Sequence, residues 1–229
     1  MSDNIARVFA AAIATDPTRP LLTWYDDATG ERTELSGATL ANWVAKTANL
    51  LVDEAAVAPG DTAGVLLPPH WQTAAVLLGC WSATLTVVDT PGDVDVLFAA
   101  ADRAEEAAAW STGERYALAL APFAAPLRQV PPGFADYVVA VRGHGDHFTS
   151  YPGAGEADAD LLARGEARAA DLGIAPGDRL LIDAAVHPDP VDWLLAPLTA
   201  RASIVLCGNL DATRTDSRAT TEKVTHTLT

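Results

Sequence analysis

With 229 residues, 49% of them hydrophobic, and six tryptophans, the chain has the material for a sizeable buried core and is not a disordered polymer. Fifteen basic residues face thirty acidic ones, and a net charge of −15 argues against a nucleic-acid partner, because a surface of that sign repels a phosphate backbone. No apolar run reaches the roughly eighteen residues of a membrane span, so no membrane association is expected.

The first residues, MSDNIARVFAAAIATDP, are predicted to form an amphipathic helix capped near Ser2 or Asp3. Arg7 interrupts the apolar stretch and no basic leader precedes it, so this is not a signal peptide. Residues 20–35 make two extended runs around Asp27-Ala28-Thr29-Gly30, a hairpin with glycine at its turn. Ser36 then caps a helix in which Leu40, Trp43, Val44, Thr47, Leu50 and Leu51 recur at i, i+3, i+4 spacing. A turn at Ala58-Pro59-Gly60-Asp61 leads to a strand at Thr62–Leu67, a break at Pro68-Pro69, a helix over His70–Ala83 and a strand at Leu85–Val88. Strand, helix, strand with continuously apolar strands predicts a parallel sheet covered on both faces. The pattern continues with a strand at Val94–Ala99, a helix over Asp102–Trp110 and a strand at Tyr116–Ala121. A proline-rich connection then leads to a helix with Phe134, Tyr137, Val138 and Val141 on its apolar face. A polar loop, RGHGDHFTSYPGAGE, precedes a long helix over Ala157–Leu172.

The most informative feature is a repeat. VAPGDTAGVLLPPHWQTAAVLLGCWSATLTVV from Val57 and IAPGDRLLIDAAVHPDPVDWLLAPLTARASIV from Ile174 align without a gap at an offset of 117 residues. Ala58-Pro59-Gly60-Asp61 matches Ala175-Pro176-Gly177-Asp178, His70 matches His187, and Leu77-Leu78 matches Leu194-Leu195. Two copies of one βαβ unit imply two similar α/β halves, not a solenoid, whose repeats are shorter and more numerous.

Few residues form a reactive constellation. The matched histidines follow strands at the carboxyl edge where ligands of α/β sheets bind, yet no acid or nucleophile accompanies both at the same spacing, and hydrogen bonding at a helix start accounts for them. His144-Gly145-Asp146-His147 offers two imidazoles and a carboxylate, but reads first as a polar interhelical loop, so no metal site is expected. Ser36, Ser82 and Ser111 lack a G-x-S-x-G elbow. Cys80 and Cys207 lie in apolar runs, as buried thiols do; a reducing cytoplasm suits them, with one disulfide left open.

Together these residues resemble the acyl-adenylate-forming superfamily of acyl-CoA synthetases, peptide-synthetase adenylation domains and luciferases. The resemblance rests on LSGATL from Leu35, on VAPGDTAGVLLPPH and LGCWSATLTVVDTP, and on GIAPGDRLLIDAAVH with LLAPLTARASIVL in the second half; TTEKVTHTL looks like the strand that follows there. It covers most of this chain but about two fifths of a typical member, and short chains of this kind resemble a mainly actinobacterial family of truncated AMP-binding homologues. In the superfamily a Ser/Thr/Gly loop with one lysine grips the ATP phosphates. The resemblance places that loop at Thr149 to Gly155, where Thr149, Ser150, Gly153 and Gly155 remain, no lysine is present, and Glu156, Asp158 and Asp160 follow. Like charge beside phosphate opposes binding.

The fold expected is therefore α/β, two pseudo-repeated halves with mostly parallel strands like the N-terminal part of an adenylate-forming enzyme. Residues 1–150 would hold the hairpin and first half, and residues 151–229 a partial second half, with no C-terminal catalytic domain. The function expected is that of a non-catalytic remnant acting as an interaction or regulatory protein, a homodimer or bound to another protein through an open sheet edge. Neither catalytic residues nor a metal nor a cofactor is expected. The alternative is an AMP-dependent synthetase-like enzyme or nucleotide/acyl binder completed by a partner chain, which alone would use ATP and Mg.

Overall fold

The computed structural model describes residues 4–151 and 156–229, which divide into two compact units. Unit 1 comprises residues 1–40, 69–74 and 156–229; unit 2 comprises 41–68 and 75–155. Among the described residues no helix is long and apolar enough to cross a membrane.

Unit 2 is built on a five-stranded parallel sheet of β3 (Thr62–Leu66), β4 (Thr86–Val88), β5 (Val96–Ala100), β6 (Glu114–Leu118) and β7 (Ala135–Asp136), in the order β4-β3-β5-β6-β7. All five residues of β5 are buried, which explains its uninterrupted apolar sequence. On one face Leu66, Leu97, Ala99, Ala107 and Trp110 form a core. Elsewhere Phe98 stacks on Tyr116 and meets Tyr137 edge-on, and the Tyr137 hydroxyl shares a hydrogen bond with Thr47 at 2.7 Å. The segment expected as a helix over residues 102–110 is instead two short 3-10 turns, Ala101–Arg103 and Glu106–Ala109. The longer rise of a 3-10 turn spans the β5 to β6 crossover with few residues.

Unit 1 carries β1 (Pro20–Asp26), β2 (Glu31–Ser36), β8 (Arg179–Asp183), β9 (Ser203–Gly208) and β10 (His226–Leu228), ordered β10-β8-β9-β1-β2. Only the β1–β2 hairpin is antiparallel. The sequence reading groups this hairpin with the first half, over residues 1–150. In the structure β1 pairs in parallel with β9, from Leu22 opposite Ile204 to Asp26 opposite Gly208, so the hairpin extends the sheet of the second half. Long-range pairing of this sort leaves no local sequence signature. Helix α1 (Ile5–Ile13) is capped by Asn4, whose side chain accepts the Arg7 N–H at 2.9 Å; the expected caps Ser2 and Asp3 lie outside the described residues.

The helices α2 (Gly37–Asn49) and α3 (Trp71–Ser82) precede α4 (Tyr137–Arg142), α5 (Glu156–Asp171), α6 (Ala196–Thr199) and α7 (Thr215–Glu222). The turn that opens each copy of the sequence repeat is reproduced bond for bond. Gly60 and Gly177 have φ of 96° and 93°, and their N–H groups donate to Thr84 and Arg201, themselves left-handed at φ 63° and 57°. The Asp61 and Asp178 carboxylates accept the N–H of Ala58 and Ala175 at 2.8 and 2.7 Å. Their carbonyls accept the N–H of Thr86 and Ser203 at 2.8 and 2.9 Å, which starts β4 beside β3 and β9 beside β8. A-P-G-D is thus turn chemistry: glycine supplies the positive φ and aspartate the local staple.

The tail expected to be polar until Val224 contains α7, and the residues α7 buries are Arg218 and Glu222. Glu222 accepts hydrogen bonds from Tyr25 Oη (2.6 Å), Arg32 Nη2 (2.9 Å) and Arg179 Nη2 (2.6 Å). Arg218 grips Asp27 with both terminal nitrogens, at 2.5 and 3.1 Å, and lies 4.2 Å over the Tyr25 ring. Beside them Val224 and Leu210 pack on Leu181, Val205 and Cys207. Burial by itself would raise the Glu222 pKa, but the bonds from Tyr25, Arg179 and Arg32 outweigh it and hold the carboxyl down at about 2.

Two outcomes follow from these contacts. A Cβ on Gly64 would stand 2.7 Å from the Trp110 ring and 2.9 Å from Leu97, so Gly64→Ala is expected to cost about 1–3 kcal/mol in urea unfolding. Because the folded pKa of Glu222 lies below its ordinary 4.5, its contribution is complete above pH 4.5 and is lost as pH falls toward 2. Glu222→Gln should cost about 2–4 kcal/mol at pH 7 and flatten the acid limb of stability against pH over that window; an unchanged limb would count against the assignment.

Candidate functional site

The segment Thr149 to Gly155, which the resemblance marks as a phosphate loop, follows α4 in the chain. Its approach, residues 143–147, is tied to α2 and the turn after it within unit 2. Lys46 Nζ donates to the His144 carbonyl, and Asn49 Nδ2 donates to the carbonyls of Gly145 (2.8 Å) and His147 (3.0 Å). His144 Nε2 lies 3.3 Å from Glu54. This approach is therefore held through backbone carbonyls gripped by two side chains spaced i, i+3 on α2. Lys46 is one of only two lysines in the chain, and its i, i+3 relation to Asn49 was the sequence signal for this clamp, which the sequence reading missed.

Of the four residues singled out in the loop, Thr149 is exposed and Ser150 half-buried, while Gly153 and Gly155 lie outside the described residues. In unit 1, Asp158 on the first turn of α5 is buried, and burial pushes its carboxyl up to about 6; Asp160 is exposed. Asp158 is thus largely ionised at neutral pH despite its burial.

The matched histidines do different work. His70, the residue before α3, accepts the Gln72 N–H on Nδ1 at 3.1 Å, which places its proton on Nε2. The ring is buried, 4.7 Å from Trp24 in an edge arrangement, and burial drives its pKa down to about 3 against the pull of Asp26. It is a neutral capping group at physiological pH. His187 Nδ1 instead lies 3.4 Å from Asp192, which also takes Arg168 Nε at 2.7 Å. Among the described residues no group of three or more His, Cys, Asp or Glu is arranged to hold a metal.

At the carboxyl edge of unit 1's sheet, where open α/β sheets receive ligands, the chain's own charges meet. Asp26 accepts from Asn209 Nδ2, Thr29 Oγ1 and the Ala28 N–H; Asp27 accepts from Arg218, Arg214 and the Asp211 N–H. Hydrogen bonding from Arg218, above all, holds Asp27 below the usual carboxylate range. Cys207, buried beside Arg218, has its thiol pushed up to about 11 by burial and stays protonated; both cysteines are free thiols.

Comparison with known proteins gives a consistent answer. The chain is 45% identical over 228 residues, 94% of each chain, to the protein described as TIGR03089 family protein in Mycobacterium tuberculosis (strain ATCC 25618 / H37Rv). No family model matches it. Among solved structures it superimposes on an acyl-CoA synthetase of Brucella canis with a TM-score of 0.78 at 18% identity, covering 98% of this chain and 47% of that one. It superimposes on acetoacetyl-CoA synthetase from Streptomyces lividans with a TM-score of 0.74 at 19% identity, covering 98% and 42%. The chain therefore has the fold of the N-terminal part of adenylate-forming enzymes and spans just under half the length of those synthetases.

The raised Asp158 pKa has a measurable sign. Ionising this carboxyl opposes folding, a penalty absent below its ordinary 3.8 and complete above about 6. Asp158→Asn is expected to stabilise the protein by up to about 3 kcal/mol at pH 7.5 and not at pH 3. Equal effects at both pH values would assign the change to packing instead.

Proposed function

Because the chain belongs to the TIGR03089 family and carries the adenylate-forming fold, we propose that it is a non-catalytic member of that scaffold that acts as an interaction or regulatory protein. The observation that carries this reading is the loop at 149–155. It keeps the hydroxyls of Thr149 and Ser150, has no lysine, and is followed by Glu156, Asp158 and Asp160. Phosphoryl and adenylyl chemistry depends on positive groups aimed at developing negative charge, and three carboxylates within five residues do the reverse. Lys46, which reaches the approach to this loop, donates to the His144 carbonyl. The ion-paired carboxyl edge of unit 1's sheet supports the same reading, since Asp26 and Asp27 are engaged with the protein's own donors. No cofactor is needed for such a role, and its partner is a second copy of the chain or another protein in the cytoplasm.

The names of the solved relatives support the alternative, a nucleotide or acyl ligand binder completed by a partner chain, and the retained Thr149 and Ser150 are what it would use. The two readings separate in one experiment. Thermal unfolding is followed with Mg-ATP, AMP and acetyl-CoA, together with carboxylate-dependent pyrophosphate exchange. The expected result is no shift and no exchange. A ligand at about a hundred times its Kd adds about 2.7 kcal/mol, a rise of a few degrees, so such a rise with Mg-ATP accompanied by exchange overturns the non-catalytic reading. Sedimentation that finds only a 24 kDa species at tens of micromolar would remove the homodimer.

A further inference from the structure

A cavity of about 310 Å³ sits at the amino edge of unit 1's sheet, the edge opposite the one at which α/β sheets receive ligands. Its wall includes the end of α1 (Ala12, Ile13), the start of β1 (Leu21) and the turns before β8 and β9 (Asp178, Arg201). The volume lies at the low end of the range for small-molecule sites, about 300–1,000 Å³.

The arginines at this cavity differ from most others in the chain, although Arg128, exposed on the connection before β7, likewise has no side-chain hydrogen bond or ion pair among the described residues. Arg32, Arg103, Arg164, Arg168, Arg179, Arg214 and Arg218 form ion pairs with carboxylates, and Arg115 and Arg142 donate to carbonyls. Arg19 and Arg201, both exposed and both in the cavity wall, have side chains with no hydrogen bond or ion pair among the described residues. Two unpaired guanidinium groups on one cavity stand out in a chain of net charge −15.

Arg201 is not required by the turn it occupies. The corresponding turn of the first half closes with the same left-handed backbone and the same glycine N–H bond, using Thr84. The cation is an addition to a turn that forms without it. The carboxylates in the wall are engaged elsewhere: Asp178 accepts from the Ala175 N–H and faces His226 Nε2 at 3.0 Å, while Asp16 accepts from the Thr18 N–H and hydroxyl. Asp16 feels Arg19 both as a nearby charge and through its backbone N–H. Two arginines and two aspartates leave the wall neutral overall, so an anion here is held by the free guanidinium donors and not by net charge, and a second negative charge on it adds repulsion from Asp16 and Asp178. The remaining wall is mostly apolar, with the hydroxyls of Thr15 and Ser203 as its other polar groups, and it is held in place: a Cβ on Gly37 would meet Ile13 at 2.7 Å, so α1 is pressed against the start of α2.

We propose that this cavity binds a small organic monoanion, with its charged head held by Arg19 and Arg201 and a short apolar body against Ile13, Leu21 and Ala202. None of these residues belongs to the 149–155 loop, so nucleotide titrations and titrations of this cavity read different sites.

The test is calorimetric titration of the full chain with hexanoate and hexanesulfonate, with hexan-1-ol, inorganic phosphate and hexyl phosphate at pH 8 as comparators. At least one hexyl monoanion should bind, and hexyl phosphate, phosphate and hexanol should each bind at least tenfold more weakly. Binding by hexanoate alone specifies a carboxylate head; binding by both specifies any monoanionic head. Arg19→Gln and Arg201→Gln, both at exposed positions, should each weaken binding at least tenfold with an unchanged far-ultraviolet spectrum. Arg201→Lys should fall between Arg201→Gln and the wild type, because ammonium keeps the charge and loses the two-pronged donor. The proposal is overturned if neither monoanion binds at tens of millimolar, if hexanol or either phosphate binds as well, or if the glutamine variants retain full affinity.

Discussion

A left-handed glycine hydrogen-bonded to a left-handed residue twenty-four positions later fixes where the paired strands of both sheets begin. In unit 2 the pair is Gly60 with Thr84, and in unit 1 it is Gly177 with Arg201. The turn carbonyl that follows each glycine, from Asp61 and Asp178, accepts the N–H that starts the neighbouring strand, so one turn sets the register of β3 with β4 and of β8 with β9. Parallel strands have no hairpin to set their register, and a shift of one residue would turn every apolar side chain to the opposite face. The four matched residues of the repeat are therefore there for geometry. In the second copy Asp178 also faces His226 on β10, and Arg201 stands in the wall of a cavity.

The parts of the fold that were legible in the sequence are those specified locally. The A-P-G-D turns, the fully apolar strand β5, the apolar run of β9 after Ser203, and the buried stripe of α2 all announce themselves through composition and period. Three features did not. The hairpin's attachment to β9 depends on backbone pairing between residues about 180 apart. The crossover after β5 is alanine-rich and reads as a helix, yet the distance it must span favours 3-10 turns. Helix α7 was hidden because its inward-facing residues are Arg218 and Glu222, which any pattern based on hydrophobicity assigns to solvent.

Helix α7 also shows how a strongly acidic chain uses its few cations. Tyr25 lies under Arg218 and donates to Glu222, so one aromatic ring links an ion pair on each side. Buried charges of this kind contribute less net stability than apolar packing of the same volume, because desolvation opposes the Coulomb gain. What they provide is direction: a helix docked through Asp27–Arg218 and Glu222–Arg179 has one seating, whereas an apolar stripe tolerates sliding.

At the loop the limits of legibility are of another kind. The sequence carried the missing lysine and the acidic residues that follow, and those remain the argument. It did not carry the clamp, in which Lys46 and Asn49 donate to the carbonyls of residues 144, 145 and 147. Such a clamp orders a loop by satisfying carbonyl oxygens, whereas a phosphate grip requires donors left free to face an anion. Fold likeness at 18% identity shows that the scaffold is shared. On the approach to the loop the available donors, Lys46 and Asn49, are spent on the protein's own backbone.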